Sequence, residues 1–89
     1  MKPSRMFIIK GHTCMPSKML EDWLSDHNLE AESIYVEDNM DICRKYQVLQ
    51  TPALVLVEDP VEGVSTYEAH QVITGLEKII EFFESVYKI

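Results

Sequence analysis

The chain is poor in the residues that mark whole classes of protein. Two cysteines, Cys14 and Cys43, in 89 residues are too few for a secreted disulfide scaffold, and too few for a structural zinc site unless histidines help. His12, His27 and His70 are scattered, so no metal site is expected. Three glycines and four prolines leave no room for a flexible linker, and no low-complexity tract or internal repeat is visible. Basic residues are scarce too. Eight Lys and Arg against 15 Asp and Glu give a formal net charge of -7. Such a surface repels phosphate backbones and anionic lipid, which argues against nucleic acid and membrane as partners. Long hydrophobic runs are also missing. The apolar stretch 6–9 is far shorter than a signal-peptide core or a membrane span, so the chain reads as cytoplasmic.

What remains is ordinary globular composition, 46% hydrophobic and 26% charged, in a length that suits one domain over 1–89. Residues 6–9 (Met-Phe-Ile-Ile) read as a buried strand. Over 15–27, Met19, Leu20, Trp23 and Leu24 recur at helical spacing, with Pro16 in the first turn where its missing N–H costs nothing. Ile34 and Val36 mark a second strand at 33–37. Asp38 or Asn39 caps a short helix reaching about Tyr46, with Ile42, Cys43 and Tyr46 inward. The continuous apolar run 53–57 suits a central strand covered on both faces. Turn residues at 58–63 lead to a strand at 64–69, forming a hairpin. Thr74 and Glu77 fit a capping box for a last helix whose inner face is Leu76, Ile79, Ile80, Phe83 and Tyr87. The order β-α-β-α-β-β-α predicts an α/β fold: a mixed four-stranded sheet with three helices on its two faces. Sites in such sheets lie at the ends of parallel strands. Cys14, just past the first strand and at a helix start, occupies such a place.

Three pieces of sequence together resemble the thioredoxin and glutaredoxin superfamily. Cys14-Met15-Pro16-Ser17 is similar to its Cys-x-x-Cys or Cys-x-x-Ser motif. The segment from Tyr46 through Thr51-Pro52 into Ala53-Leu54-Val55-Leu56 resembles the stretch that passes a cis-proline into the third strand. Gly75 stands near the family's glycine at the last helix. The resemblance covers nearly the whole chain and implies a thioredoxin-like fold and thiol–disulfide exchange. Cys14 would be the attacking thiolate, with the Thr51-Pro52 bond cis and the Thr51 backbone offered to an extended substrate segment.

A free cysteine is only about 3% thiolate at pH 7. The unpaired amides and dipole of a helix start favour the charged form, and nucleophilicity falls less steeply than the thiolate fraction rises. Ser17 can donate a hydrogen bond to the Cys14 sulfur but has no sulfur of its own. A mixed disulfide formed at Cys14 must therefore be released by another thiol. Either the protein is naturally monothiol, or Ser17 replaces a resolving cysteine of a Cys-x-Pro-Cys ancestor. Around this pair, Met15 and Pro16 offer an apolar rim for partners. His12 is placed to lower the thiol pKa, or else is a solvated loop residue. Lys10, near where glutaredoxins carry a lysine but one residue further from the cysteine, would by that resemblance guide an anionic group, the alternative being no role in the site. Cys43 reads as buried on its helix, the alternative being a resolving thiol. Trp23 reads as core.

The expected partners are disulfide-containing proteins and a reductase or low-molecular-weight thiol, with the chain monomeric. No cofactor is required. Glutathione is a candidate reductant by resemblance, but the Gly-Gly and acidic pair that holds it in glutaredoxins is absent from 70–77. Two other functions fit the same fold. One is a non-enzymatic adapter in which Cys14 is incidental. The other is iron–sulfur binding as in monothiol glutaredoxins, from whose Cys-Gly-Phe-Ser motif Met15-Pro16 departs.

Overall fold

A computed structural model describes residues 5–58 and 69–88. Strand β1, Arg5–Lys10, is followed by helix α1, Met15–Asp26. The short strand β2, Ser33–Tyr35, runs into a 3-10 turn, Val36–Asp38, and then helix α2, Met40–Lys45. Strand β3, Ala53–Glu58, strand β4, Ala69–Thr74, and helix α3, Leu76–Tyr87, complete the order.

The sheet order is β2-β1-β3-β4. β1 and β2 are parallel, as a strand-helix-strand crossover requires. β3 runs antiparallel to both β1 and β4. The expected mixed four-stranded sheet is therefore present, and β3 is central because its alternate residues are apolar on both faces. Ala53, Val55 and Val57 join Phe7, Ile9, Cys43 and Tyr46 on the α2 side. Leu54 and Leu56 join Ile8, Leu20, Leu24, Ile79 and Phe83 on the α1 and α3 side. Removing an Ile or Phe side chain from water contributes about 1.5–3 kcal/mol, so these two layers dominate the cohesion of the fold.

Several local expectations are corrected. The fourth strand is described over Ala69–Thr74, past the end of the 64–69 span read from the sequence, of which 64–68 lie outside the described residues. Its extension to Thr74 displaces the expected capping box. Gly75 is the N-cap of α3, and no side chain caps that helix. Gly75 has φ +97°, a conformation that favours glycine, and its N–H donates to the Pro52 carbonyl at 3.1 Å. The sheet ladder outcompeted the local cap. Neither Asp38 nor Asn39 gives α2 a side-chain cap; the Asn39 amide group instead donates to the Tyr35 carbonyl at 2.9 Å. Met19 is half exposed, since Leu20 and Leu24 already fill the strip of α1 that meets the sheet. Tyr87 is also exposed, though its ring stacks on Phe83. Trp23 packs at the margin of the α1–α3 layer.

Candidate functional site

Cys14 is the N-cap of α1, with extended backbone angles (φ -92°, ψ 109°). Its carbonyl accepts the first helical bond, from the Lys18 N–H at 3.2 Å. The turn before it closes through the Cys14 N–H and the Gly11 carbonyl, 3.3 Å apart. Gly11 lets the two segments approach closely here. A Cβ at this position would stand 3.0 Å from the Cys14 Cβ and 3.1 Å from the Thr51 Oγ1, a fit so tight that these side chains would have to shift by a few tenths of an ångström.

Thr51 and Pro52 reach the same point from the other side of the chain. The Thr51-Pro52 peptide is cis, and Pro52 is fully buried. The Cys14 thiol donates to the Thr51 carbonyl at 3.3 Å. Two segments 37 residues apart in sequence thus converge on one sulfur.

Ser17 occupies the fourth place of the motif and is 2% exposed, the single buried polar residue among those described. Its hydroxyl oxygen accepts the Gly11 N–H at 3.3 Å. That leaves its proton free for the neighbouring sulfur. The electrostatics of Cys14 follow from these contacts. Burial alone pushes the thiol pKa up. The Ser17 hydroxyl, the Thr51 side chain and the Ser17 amide all favour the thiolate and outweigh burial, while the charge of Glu37 opposes them; the net result lies below the ordinary thiol value. As a neutral thiol, Cys14 makes no capping hydrogen bond to its helix. Ionisation turns the sulfur into an acceptor for those donors.

Cys43 contrasts with it. This residue is 4% exposed within the α2 layer, and burial, with Asp41 nearby, raises its pKa. A buried neutral thiol on that layer is inert.

The remaining candidates divide. Met15 is 68% exposed and Pro16 is exposed beside it, so both form an open rim at Cys14. The His12 ring stacks on Tyr35 with centroids 3.8 Å apart, and its Nε2 lies 3.6 Å from the Asp38 carboxylate. Lys10 pairs with Glu21 of α1 and lies over the Tyr35 ring. An open groove of about 780 Å3 beside β2 is lined by Lys10, Ser17 and Glu21, but by neither Cys14 nor Thr51. Among the described residues, no group of three or more His, Cys, Asp or Glu is arranged to hold a metal ion, and no helix is long and apolar enough to cross a membrane.

Two residues of the site escaped the sequence. Gly11 had a faint signal, since a glycine between a strand and a cysteine suggests close approach. Glu37 had none. Its carboxylate accepts the His12 N–H at 3.0 and 3.3 Å, a contact that exists because the parallel crossover sets the end of β2 beside the end of β1.

No family model and no curated protein matches the chain. Solved structures do. A thioredoxin from Thermus thermophilus is similar with a TM-score of 0.65 and 19% identity, over 93% of this chain and 70% of that one. The thioredoxin-like protein BC3987 gives 0.60 and 16%, over 92% and 99%. The N-terminal domain of SasA from Synechococcus elongatus gives 0.59 and 16%, over 100% and 88%. With its mixed four-stranded sheet and three helices, this chain has a thioredoxin-like fold.

Proposed function

We propose that the protein carries out thiol–disulfide exchange with Cys14 as the attacking thiolate. The observation that supports this most directly is the convergence of Ser17 and Thr51 on the Cys14 sulfur at a helix N-terminus. The Ser17 hydroxyl and amide and the Thr51 side chain favour the thiolate, against the single bond that the neutral thiol gives to the Thr51 carbonyl. The Thr51 backbone and the apolar rim of Met15 and Pro16 receive the extended segment bearing the target disulfide.

The first step forms a bond between Cys14 Sγ and one sulfur of the target. The target's S–S bond breaks, and its second sulfur leaves as a thiolate that takes a proton from water. Ser17 cannot attack the resulting mixed disulfide, and Cys43 is enclosed in the core on the α2 face. An external thiolate must therefore attack it, restoring the Cys14 thiolate and pairing the target sulfur with its own. A protein thiol or a low-molecular-weight thiol would serve.

The test compares the chain with its Ser17→Cys variant. Incubated with a disulfide peptide, the chain as it stands accumulates a one-to-one mixed disulfide at Cys14, read by intact mass and peptide mapping. Ser17→Cys clears that adduct and reduces insulin disulfides when coupled to dithiothreitol. No adduct at Cys14 would favour the adapter reading, in which the same rim binds partners without exchange.

A further inference from the structure

Exchange at Cys14 leaves open which disulfides reach it. Three carboxylates near the sulfur are tied by contacts, although all three stand open to solvent. Both Glu37 oxygens face the His12 N–H, two residues before Cys14. That amide holds the Glu37 carboxyl below the ordinary carboxylate range, so it is ionised at neutral pH. Glu37 is the charged side chain that opposes the Cys14 thiolate. Asp38 follows it and faces the His12 ring at 3.6 Å. The nearest strand-end cation, Lys10, is paired with Glu21 and only slightly exposed. Lys18 stands exposed one helical turn beyond Cys14, on a flexible stem with no fixed position relative to the sulfur.

Resting on the exchange reading, we propose that Glu37 is a specificity-determining residue that selects disulfides whose cysteine is flanked by Lys or Arg and disfavours those flanked by carboxylates. A carboxylate held beside the loop repels an approaching anion and attracts a cation, and because Glu37 is exposed the effect is strongest at low salt. The pairing of Lys10 with Glu21 removes the countercharge that would otherwise receive an anionic substrate. Glutathione, with two carboxylates, falls on the disfavoured side.

The experiment uses two short peptides, Lys-Cys-Lys and Glu-Cys-Glu, each joined through its cysteine to thionitrobenzoate. The Cys14 thiolate attacks the peptide sulfur, forms the mixed disulfide and releases coloured thionitrobenzoate as its thiolate. At low ionic strength the cationic peptide is expected to react about tenfold faster, and the ratio to fall towards one in high salt. Glu37→Gln keeps an oxygen for the His12 N–H but removes the charge, and should lower the ratio about threefold. Should that variant fail to fold, Asp38→Asn, and Glu21→Gln, which frees Lys10, are expected to lower it in the same direction. Equal rates for the two peptides, or a ratio indifferent to both salt and these substitutions, would overturn charge selection alone. Release from neither peptide beyond that of an unstructured cysteine peptide would overturn the exchange reading along with it.

Discussion

At Cys14 a single serine hydroxyl has two partners. It accepts the Gly11 N–H and favours the sulfur's charged form. Ser17→Ala should therefore do two separable things. Losing an acceptor for a part-buried amide costs about 1 kcal/mol, which lowers Tm by about 4–8 °C in a domain of this size. The Cys14 pKa should rise, and alkylation by iodoacetamide at pH 7 should slow by about threefold or more; an unchanged rate would mean that the hydroxyl does not act on the sulfur. Gly11→Ala tests the same spot sterically. Its methyl would press on Cys14 and Thr51, so exchange at Cys14 should slow more than Tm falls. The pH dependence of stability follows from the two thiols in opposite senses. Cys14, whose folded pKa is lowered, adds stability above its unfolded pKa, and this is lost as pH falls through the folded value. Cys43, whose folded pKa is raised, adds stability below its unfolded pKa, and this is lost as pH rises through the folded value. Chemical denaturation of Cys14→Ser and Cys43→Ala across alkaline pH should separate the two slopes.

Elements with a strong period were legible from residues alone. The 3.6-residue spacing of Leu20 and Leu24 marked α1, and the unbroken apolar run marked β3. The ends of elements were less so. Thr74 reads as a helix cap only until the pairing of Ala53 with Thr74 in the sheet is known, since a ladder of backbone bonds overrides one local side-chain bond. That makes Gly75 the hinge between β4 and α3. With φ +97° and its N–H on the Pro52 carbonyl, Gly75→Ala should cost about 1–3 kcal/mol from backbone strain. Denaturation midpoints would show it. A variant as stable as the parent would mean that the junction relaxes without cost.

On the scale of the whole molecule, the fold brings Cys14, Thr51 and Glu37 to one end of the sheet from three separate connections. The sequence motif and the resemblance were enough to pair Cys14 with Thr51-Pro52, because both residue types leave a local signature. Glu37 leaves none; only the parallel register of Ile9 with Ile34 carries the following turn to the Cys14 loop. The same topology sends Cys43 into the α2-side layer, away from the Cys14 loop. A disulfide reagent in limited excess should therefore modify the folded chain once, at Cys14, and twice after unfolding in urea. Two equivalents reacting at equal rates in the folded state would contradict the separation.

The central claim is that contacts made by the folded chain hold the Cys14 sulfur ready as a thiolate. It is tested most directly by the pH–rate profile of Cys14 alkylation in the Cys43→Ala variant, measured folded and in urea. The folded profile should be half-maximal at a pH below that of the unfolded chain. Profiles that coincide, or a folded midpoint at or above the usual thiol value of about 8.5, would contradict it.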